Sequence, residues 1–230
     1  MTEWRLLEGV PAEQVRELLQ IARRRRFARN EVVFHRDDPG DSLHLIALGR
    51  FAVRVMTPVG DVATIAVRGP GDSFGEMALV GDSPRRSATV AALETAETYA
   101  VYRNEFEALR QRFPQVDALL FRFLTNEVRL LNERLLEALY LPVERRVLRR
   151  LVELAALYGD PDDGRVVVTL SQEVVAELVG GTRPTVNQVL RGLQRRGTVE
   201  LRRGRIEIHD VDELAKRAGA RRGDTRPAEQ

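Results

Sequence analysis

Apolar and polar residues alternate along this chain in two rhythms, and the switches between them mark out its parts. From Pro11 to Ala22 the apolar positions Val15, Leu18, Leu19 and Ala22 recur at helical spacing. After a basic patch, Arg23–Arg26, short apolar runs alternate with turn residues: EVVFH then RDDPGD, LHLIAL then Gly49, FAVRVM then TPVGD, VATIAV then RGPGD. Runs of this length bounded by Gly, Pro and Asp predict strands. Their close spacing predicts a small antiparallel sandwich or barrel, to which SATVAALETAETYAV adds strand before a helix over Glu105–Arg112.

A long helix follows, from Pro114 to Leu141. Phe121, Leu124, Val128, Leu131, Leu135 and Ala138 alternate three- and four-residue steps, the seam of a paired helix and the expected dimer interface. A second stripe, Leu119, Leu120, Phe123 and Leu130, can pack on the β-domain. Two stripes suit a helix that touches both its own domain and a partner subunit; the alternative is a core helix of one domain. Leu141-Pro142 ends it, because the residue before proline avoids α geometry, and this break is the expected hinge.

Beyond the break, Arg146–Tyr158 is amphipathic, GDPDDG is a loop and VVVTL a short strand. Ser171 caps a helix, QEVVAELVG, with Glu173 in its first turn. Gly180-Gly181 makes a tight turn, and Thr182 caps a second helix with Pro184 tolerated in its first turn. TVELRRGRIEI folds as a hairpin around Arg203-Gly204. Helix, glycine turn, helix and hairpin make a winged helix-turn-helix. The tail, ARRGDTRPAEQ, has no apolar content and is expected to be disordered.

Composition narrows the function. The chain has 230 residues, 43% of them hydrophobic and 30% charged, as in ordinary globular proteins. Without cysteine there is no disulfide, thiolate metal site or cysteine-held iron–sulfur cluster. No apolar run approaches the roughly 18–20 residues that span a bilayer, and the N-terminus lacks a signal-peptide pattern, so a cytoplasmic location without membrane association is expected. His35, His44 and His209 fall in different elements without metal spacing, and no nucleophile elbow or P-loop occurs, which argues against an enzyme. His44 could be a haem ligand or a packed strand residue. The net charge of +2 hides an asymmetry: from Arg183 to Arg205 seven arginines face one acid, Glu200. On a helix-turn-helix such a run suits double-stranded DNA better than a merely solvated face.

Three segments, PGDSLHLIALGR, FGEMALVGDSPRRSATV and LSQEVVAELVGGTRPTVNQVLRGLQRRG, resemble the CRP/FNR family of transcription regulators across about residues 10–215. The resemblance implies an α+β chain in four parts. Residues 1–113 form a jelly-roll-like β-roll sensor of the cyclic-nucleotide-binding type and 114–141 the dimerisation helix. Residues 142–217 are the winged helix-turn-helix, and 218–230 the tail. The second segment matches the family's phosphate-binding cassette: Gly75 and Glu76 would hold a ribose while Arg86 and Ser87 clamp a cyclic phosphate, with Met77, Ala78 and Ala88 lining the site. The residue chemistry agrees. A glycine followed by a helical turn presents backbone amides, Arg86 offers a planar fork of donors, and Glu76 an acceptor for hydroxyls. The competing reading is that Glu76 and Arg86 simply pair with each other. Where cyclic-AMP-binding members meet the adenine with a threonine and its neighbour, this chain has Leu131 and Asn132. Only Asn132 can hydrogen-bond a base, so the choice of base stays open.

The same resemblance places Thr182, Arg183, Pro184, Thr185, Asn187, Gln188 and Arg191 on the helix that enters the major groove, with Arg183 able to fork onto guanine. Arg203, with Arg202 and Arg205 on the wing, would meet phosphates, which position without specifying. The expected molecule is a homodimer that needs no cofactor, takes cAMP or another cyclic nucleotide as effector, and binds a near-palindromic DNA site. RNA polymerase is a further expected partner. The alternatives are a relative that binds DNA without nucleotide or with another effector, and a cyclic-nucleotide-binding adaptor acting through protein partners.

Overall fold

A computed structural model describes residues 3–80, 85–159 and 165–219. The chain divides at Val128/Arg129 into two compact units. The tail from residue 220 and most of the GDPDDG loop (160–164), for which disorder and a loop were expected, lie outside the described residues.

The first unit opens with a 3-10 turn, Arg5–Leu7, and helix α1 (Ala12–Ile21). Eight strands follow: β1 (Arg23–Phe27), β2 (Val32–Phe34), β3 (Ser42–Leu48), β4 (Phe51–Met56), β5 (Val62–Arg68), β6 (Ser73–Phe74), then, after the short helix α2 (Met77–Val80), β7 (Thr89–Ala92) and β8 (Ala96–Tyr102). They pair antiparallel in two four-stranded sheets, β1-β8-β3-β6 and β2-β7-β4-β5. The apolar stretch SATVAALETAETYAV therefore splits at a turn and serves both sheets. Gly49 explains how the chain closes there: at φ +73° it packs so tightly on Thr95 and Ala96 that an added Cβ would lie 2.6 Å from the Thr95 carbonyl oxygen. Only glycine fits.

Strand β3 shows why both faces of its sheet are covered. Leu43 and Leu45 point into a cluster with Trp4, Leu18, Phe106 and Leu120, whereas Ile46 joins Phe27, Phe51 and Phe74 between the sheets. Alternation with a period of two sends neighbours to opposite cores. The helical side of this arrangement is completed by α3 (Arg103–Arg112) and the start of α4 (Gln115–Tyr140). Val116 and Leu120 are buried in that cluster, and Leu119, Phe123 and Leu124 pack on it half-buried. The second stripe thus lies where expected over its first half. Leu124, assigned to the seam, also packs half-buried on the core of its own unit.

The second unit holds the rest of α4, then α5 (Val143–Tyr158), β9 (Val166–Val168), α6 (Gln172–Val179), α7 (Arg183–Arg195), β10 (Val199–Arg202), β11 (Arg205–Ile208) and α8 (Val211–Ala218). The sheet runs β10-β11-β9, antiparallel throughout. Ser171 Oγ accepts from the Val174 amide and Thr182 Oγ1 from the Thr185 amide, so both predicted caps are made. Gly180, left-handed at φ +62°, ends α6. Around the break at Leu141-Pro142 an ionic cluster joins α4 to α5. Glu137 accepts from Arg149 at 2.8 Å and from the buried Arg150, which donates to Glu153 at 2.5 Å.

Candidate ligand and nucleic-acid sites

In the first unit the structure gathers the cassette around one guanidinium. Arg86 is 5% exposed. Its Nη1 donates to the Ser42 carbonyl at 2.5 Å and to the Gly75 carbonyl at 3.3 Å, and Nη2 donates to Ser42 Oγ at 3.0 Å. The guanidinium carbon sits over the Phe34 ring, 4.1 Å from its centroid, and Asp41 lies 3.6 Å from Nη2. Burial lowers the Arg86 pKa, opposed by Asp41, Asp38 and Glu76. Gly75, at φ +90°, is the backbone that makes room: a Cβ there would come within 2.7 Å of Nη1. Gly40 gives the same clearance to α2, because its own Cβ would collide with that of Ala78.

Glu76 and Arg86 form no ion pair with each other, contrary to the simplest alternative for an empty fold. Instead each keeps a buried polar atom, Glu76 Oε2 and Arg86 Nε, that has no hydrogen-bond partner among the described residues. One accepts and the other donates, and leaving such atoms unpaired costs about 1–3 kcal/mol apiece. A hydroxyl for the first and an anionic oxygen for the second would satisfy them. Burial raises the Glu76 pKa; its backbone hydrogen bond and Arg68 oppose this, Glu127 adds to it, and Arg86 opposes. Ser87 is exposed, with Oγ 3.6 Å from Met77 Sδ, Met77 is 54% exposed, and Ala78 and Ala88 are buried. Ser42 and Phe34, which orient Arg86, were not singled out in the sequence: they lie 44 and 52 residues away, Ser42 within the PGDSLHLIALGR segment but without an assigned role.

Leu131 and Asn132 belong to the second unit and are exposed on α4. Phe121, Val128, Leu131, Leu135 and Ala138 are exposed along the expected seam, as are Leu136, Leu139 and Tyr140. His44 is a packed residue rather than an open ligand. Its ring stacks on Phe74 with centroids 5.0 Å apart, and Nδ1 lies 3.0 Å from Thr98 Oγ1. Burial, with Arg86 and Arg25, lowers its pKa to about 3, so it is neutral at physiological pH.

The second unit presents α7. Val186, Leu190 and Leu193 are buried beneath it, while Arg183, Pro184, Gln188 and Arg191 on its outer face line, with Asn187 and Arg195, an open depression of about 590 Å³. Thr182 and Thr185 are exposed at the helix start, their hydroxyls 2.8 Å apart. Asn187 differs from its neighbours: it is half-buried, and its side-chain amide donates to Gln172 of α6. That bond ties the two helices together and takes a donor away from a base edge. On the wing, Arg203 is exposed and makes no ion pair among the described residues. Arg202 pairs with Glu200 at 2.7 Å, and Arg205 with Glu207 at 3.0 Å. Glu200, Glu207 and His209 bring their ligand atoms within 4.8 Å of one another, a grouping that histidine spacing did not reveal; arginines already supply its positive charge.

Comparison with known proteins finds a family match within each unit. Residues 24–113 match the cyclic nucleotide-binding domain family, and residues 145–217 the Crp-like helix-turn-helix domain. A CRP-like cAMP-activated global transcriptional regulator of Mycobacterium tuberculosis is 30% identical over 215 residues, which cover 93% of this chain and 96% of that protein. The solved structure of the Thermus thermophilus catabolite activator protein is 30% identical, with a TM-score of 0.54 over 94% of this chain and 98% of that one. FixK2 from Bradyrhizobium japonicum shares the fold, with a TM-score of 0.75 at 19% identity over 85% of this chain and 96% of that one. This chain belongs to the CRP/FNR family of DNA-binding transcription regulators and carries that family's cyclic nucleotide-binding domain.

Proposed function

We propose that the regulator works as a homodimer whose DNA affinity is set by a cyclic nucleotide, cAMP foremost, held in the cassette of the first unit. The observation that carries this reading is the pair of buried, unpartnered atoms of opposite polarity, Glu76 Oε2 and Arg86 Nε. A cyclic nucleotide supplies their complements, a ribose hydroxyl and a phosphate oxygen, on one rigid molecule. Gly75 and Ser42 fix the rest of the Arg86 fork, so the clamp is organised in advance of the ligand. The names of the Mycobacterium and Thermus relatives, "cAMP-activated" and "Cyclic AMP receptor protein", favour the adenine nucleotide.

Pairing along α4 would cover the exposed Phe121, Val128, Leu131 and Leu135, and two-fold symmetry would present two α7 helices to a near-palindrome. Thr182, Arg183, Pro184, Thr185, Gln188 and Arg191 would meet the major groove, and Arg203 a phosphate. The ligand acts only through its differential affinity for two states of the dimer, with the Leu141-Pro142 break as the pivot. RNA polymerase is the natural partner of the DNA-bound state, and the cytoplasm its location. Calorimetry with cAMP and cGMP, followed by operator binding with and without the nucleotide that binds, tests this. Saturable binding of cAMP with tighter DNA binding supports it; heat of neither nucleotide rules out the nucleotide reading.

A further inference from the structure

We propose that Asn187 reads an adenine in the major groove and that Gln172 of α6 is the positioning residue that aims its amide. This rests on the DNA reading of α7 above. Asn187 stands four residues after Arg183 and four before Arg191, and with them lines the open depression on the outer face of α7. It is half-buried there, and its Nδ2 donates to Oε1 of Gln172, the first residue of α6, which is also half-buried. Neither side-chain amide has another hydrogen-bond partner among the described residues.

Gln172 Oε1 is an acceptor, so only the amino end of Asn187 can meet it. The pair therefore settles which end of the Asn187 amide is nitrogen and which is oxygen. One N–H is spent on Gln172; the second N–H and Oδ1 remain. A donor beside an acceptor is the complement of adenine, which offers N7 as acceptor and its N6 amino group as donor. Guanine offers two acceptors, a match for the Arg183 fork instead, and each pyrimidine offers one hydrogen-bonding group. Released from Gln172, the amide can turn end for end, and the reversed edge opposes donor to donor on adenine. Four residues of helix advance about 6 Å, less than two base-pair steps of about 3.4 Å, so the adenine should lie within about two base pairs of the guanine met by Arg183. The tether is not needed to hold the turn: Val179 of α6 and Val186 of α7 are buried, and both crowd the Cβ position of Gly181.

Selection from randomised duplexes by the full-length protein, with and without cAMP, supplies the site. Fluorescence anisotropy on that site and its base-pair variants then gives a preference ratio for each protein. Being a ratio, it does not depend on the fraction of each variant that folds. The wild type should prefer A·T over each alternative at this position by about tenfold or more when both half-sites are changed. Asn187→Ala should cut the ratio to within about twofold of unity, and Gln172→Leu should do the same with Asn187 intact. Gln172→Glu keeps an acceptor and should keep the preference, while its added charge weakens all sites alike. The full ratio in Asn187→Ala or in Gln172→Leu overturns the proposal, as does its loss in Gln172→Glu. So does a wild-type site with no A·T preference beside the guanine. Absence of any sequence preference in the wild type overturns the DNA reading of α7 itself, a result visible before any variant is made.

Discussion

Gly75→Ala isolates the packing that holds the ligand clamp. At φ +90° an alanine bears strain of about 1–2 kcal/mol that glycine does not. Its Cβ would also lie 2.7 Å from Arg86 Nη1 and 3.0 Å from the Ser42 carbonyl oxygen, which is backbone. Nη1 must move, and it is the atom that donates to Ser42 and Gly75. The guanidinium cannot swing into solvent without leaving Phe34 and burying fewer of its donors' partners. Losing a hydrogen bond to a charged group costs about 1.5–3 kcal/mol. The variant should therefore lose roughly 2.5–5 kcal/mol of stability, and cAMP should bind about 10–100-fold more weakly. Gly60→Ala is the matched control: it has φ +93° but nothing within 4 Å of the added Cβ, so it bears the strain alone. Chemical denaturation and titration calorimetry on both variants give the comparison. If Gly75→Ala binds cAMP within threefold of Gly60→Ala, Arg86 is not the clamp and the cassette argument is refuted.

Three further outcomes are expected. Arg183→Ala should remove about 1–3 kcal/mol of discrimination at one base pair of each half-site, whereas Arg203→Ala should weaken all sequences alike; a binding-site selection on both variants checks this, and unchanged preference in Arg183→Ala would misplace the reading helix. Leu131→Thr should remove about 1–2 kcal/mol of seam burial per chain, lowering nucleotide-free operator affinity and enlarging the response to cAMP; anisotropy curves identical to the wild type at both limits would show that the seam does not set the equilibrium. His44 makes stability pH-dependent with a definite sign. Its folded pKa of about 3 lies below the unfolded value near 6.5, so its neutral form stabilises fully above pH 6.5, and that share is lost as pH falls toward 3. The slope is about 1.4 kcal/mol per pH unit, and His44→Phe should flatten it in urea denaturation between pH 4 and 6.

Much of the fold was legible because local signals and tertiary demands coincide. Period-two runs between Gly and Asp became β2 to β5, and Ser171, Gly180 and Thr182 punctuate α6 and α7 as their side chains and φ angles require. The failures are physical too. Strand β1, RRRRF, reads as a charge patch. Its edge is held by the ladder to β8 and by Arg24 and Arg26 gripping Glu97 at 2.5 and 3.1 Å, and that partner lies over seventy residues away. Helix α8 had signals that were not assembled: Asp210 caps the Glu213 amide, Gly219 turns left-handed, and Val211, Leu214, Ala215 and Ala218 share a buried face. At the candidate ligand site the motif pointed to Gly75, Glu76 and Arg86, which the structure brings together. Ser42 and Phe34 hold Arg86 through contacts that only the folded sheets create. Asn187 shows the converse, a residue expected at the DNA face with one amide N–H already used.

The wing carries a further consequence. Glu207 is 7% exposed, and Arg165, Arg205 and Arg202 converge on it at 3.2, 3.0 and 3.7 Å. These three arginines share that one carboxylate, and Arg202 has Glu200 as a second at 2.7 Å. Condensed cations leave DNA only in proportion to the positive charge that truly replaces them. An arginine that shares Glu207 with two others displaces fewer of them than its full charge suggests. The logarithm of operator affinity should thus fall with the logarithm of salt less steeply than seven arginines would demand, with Arg203 as the wing's principal contributor.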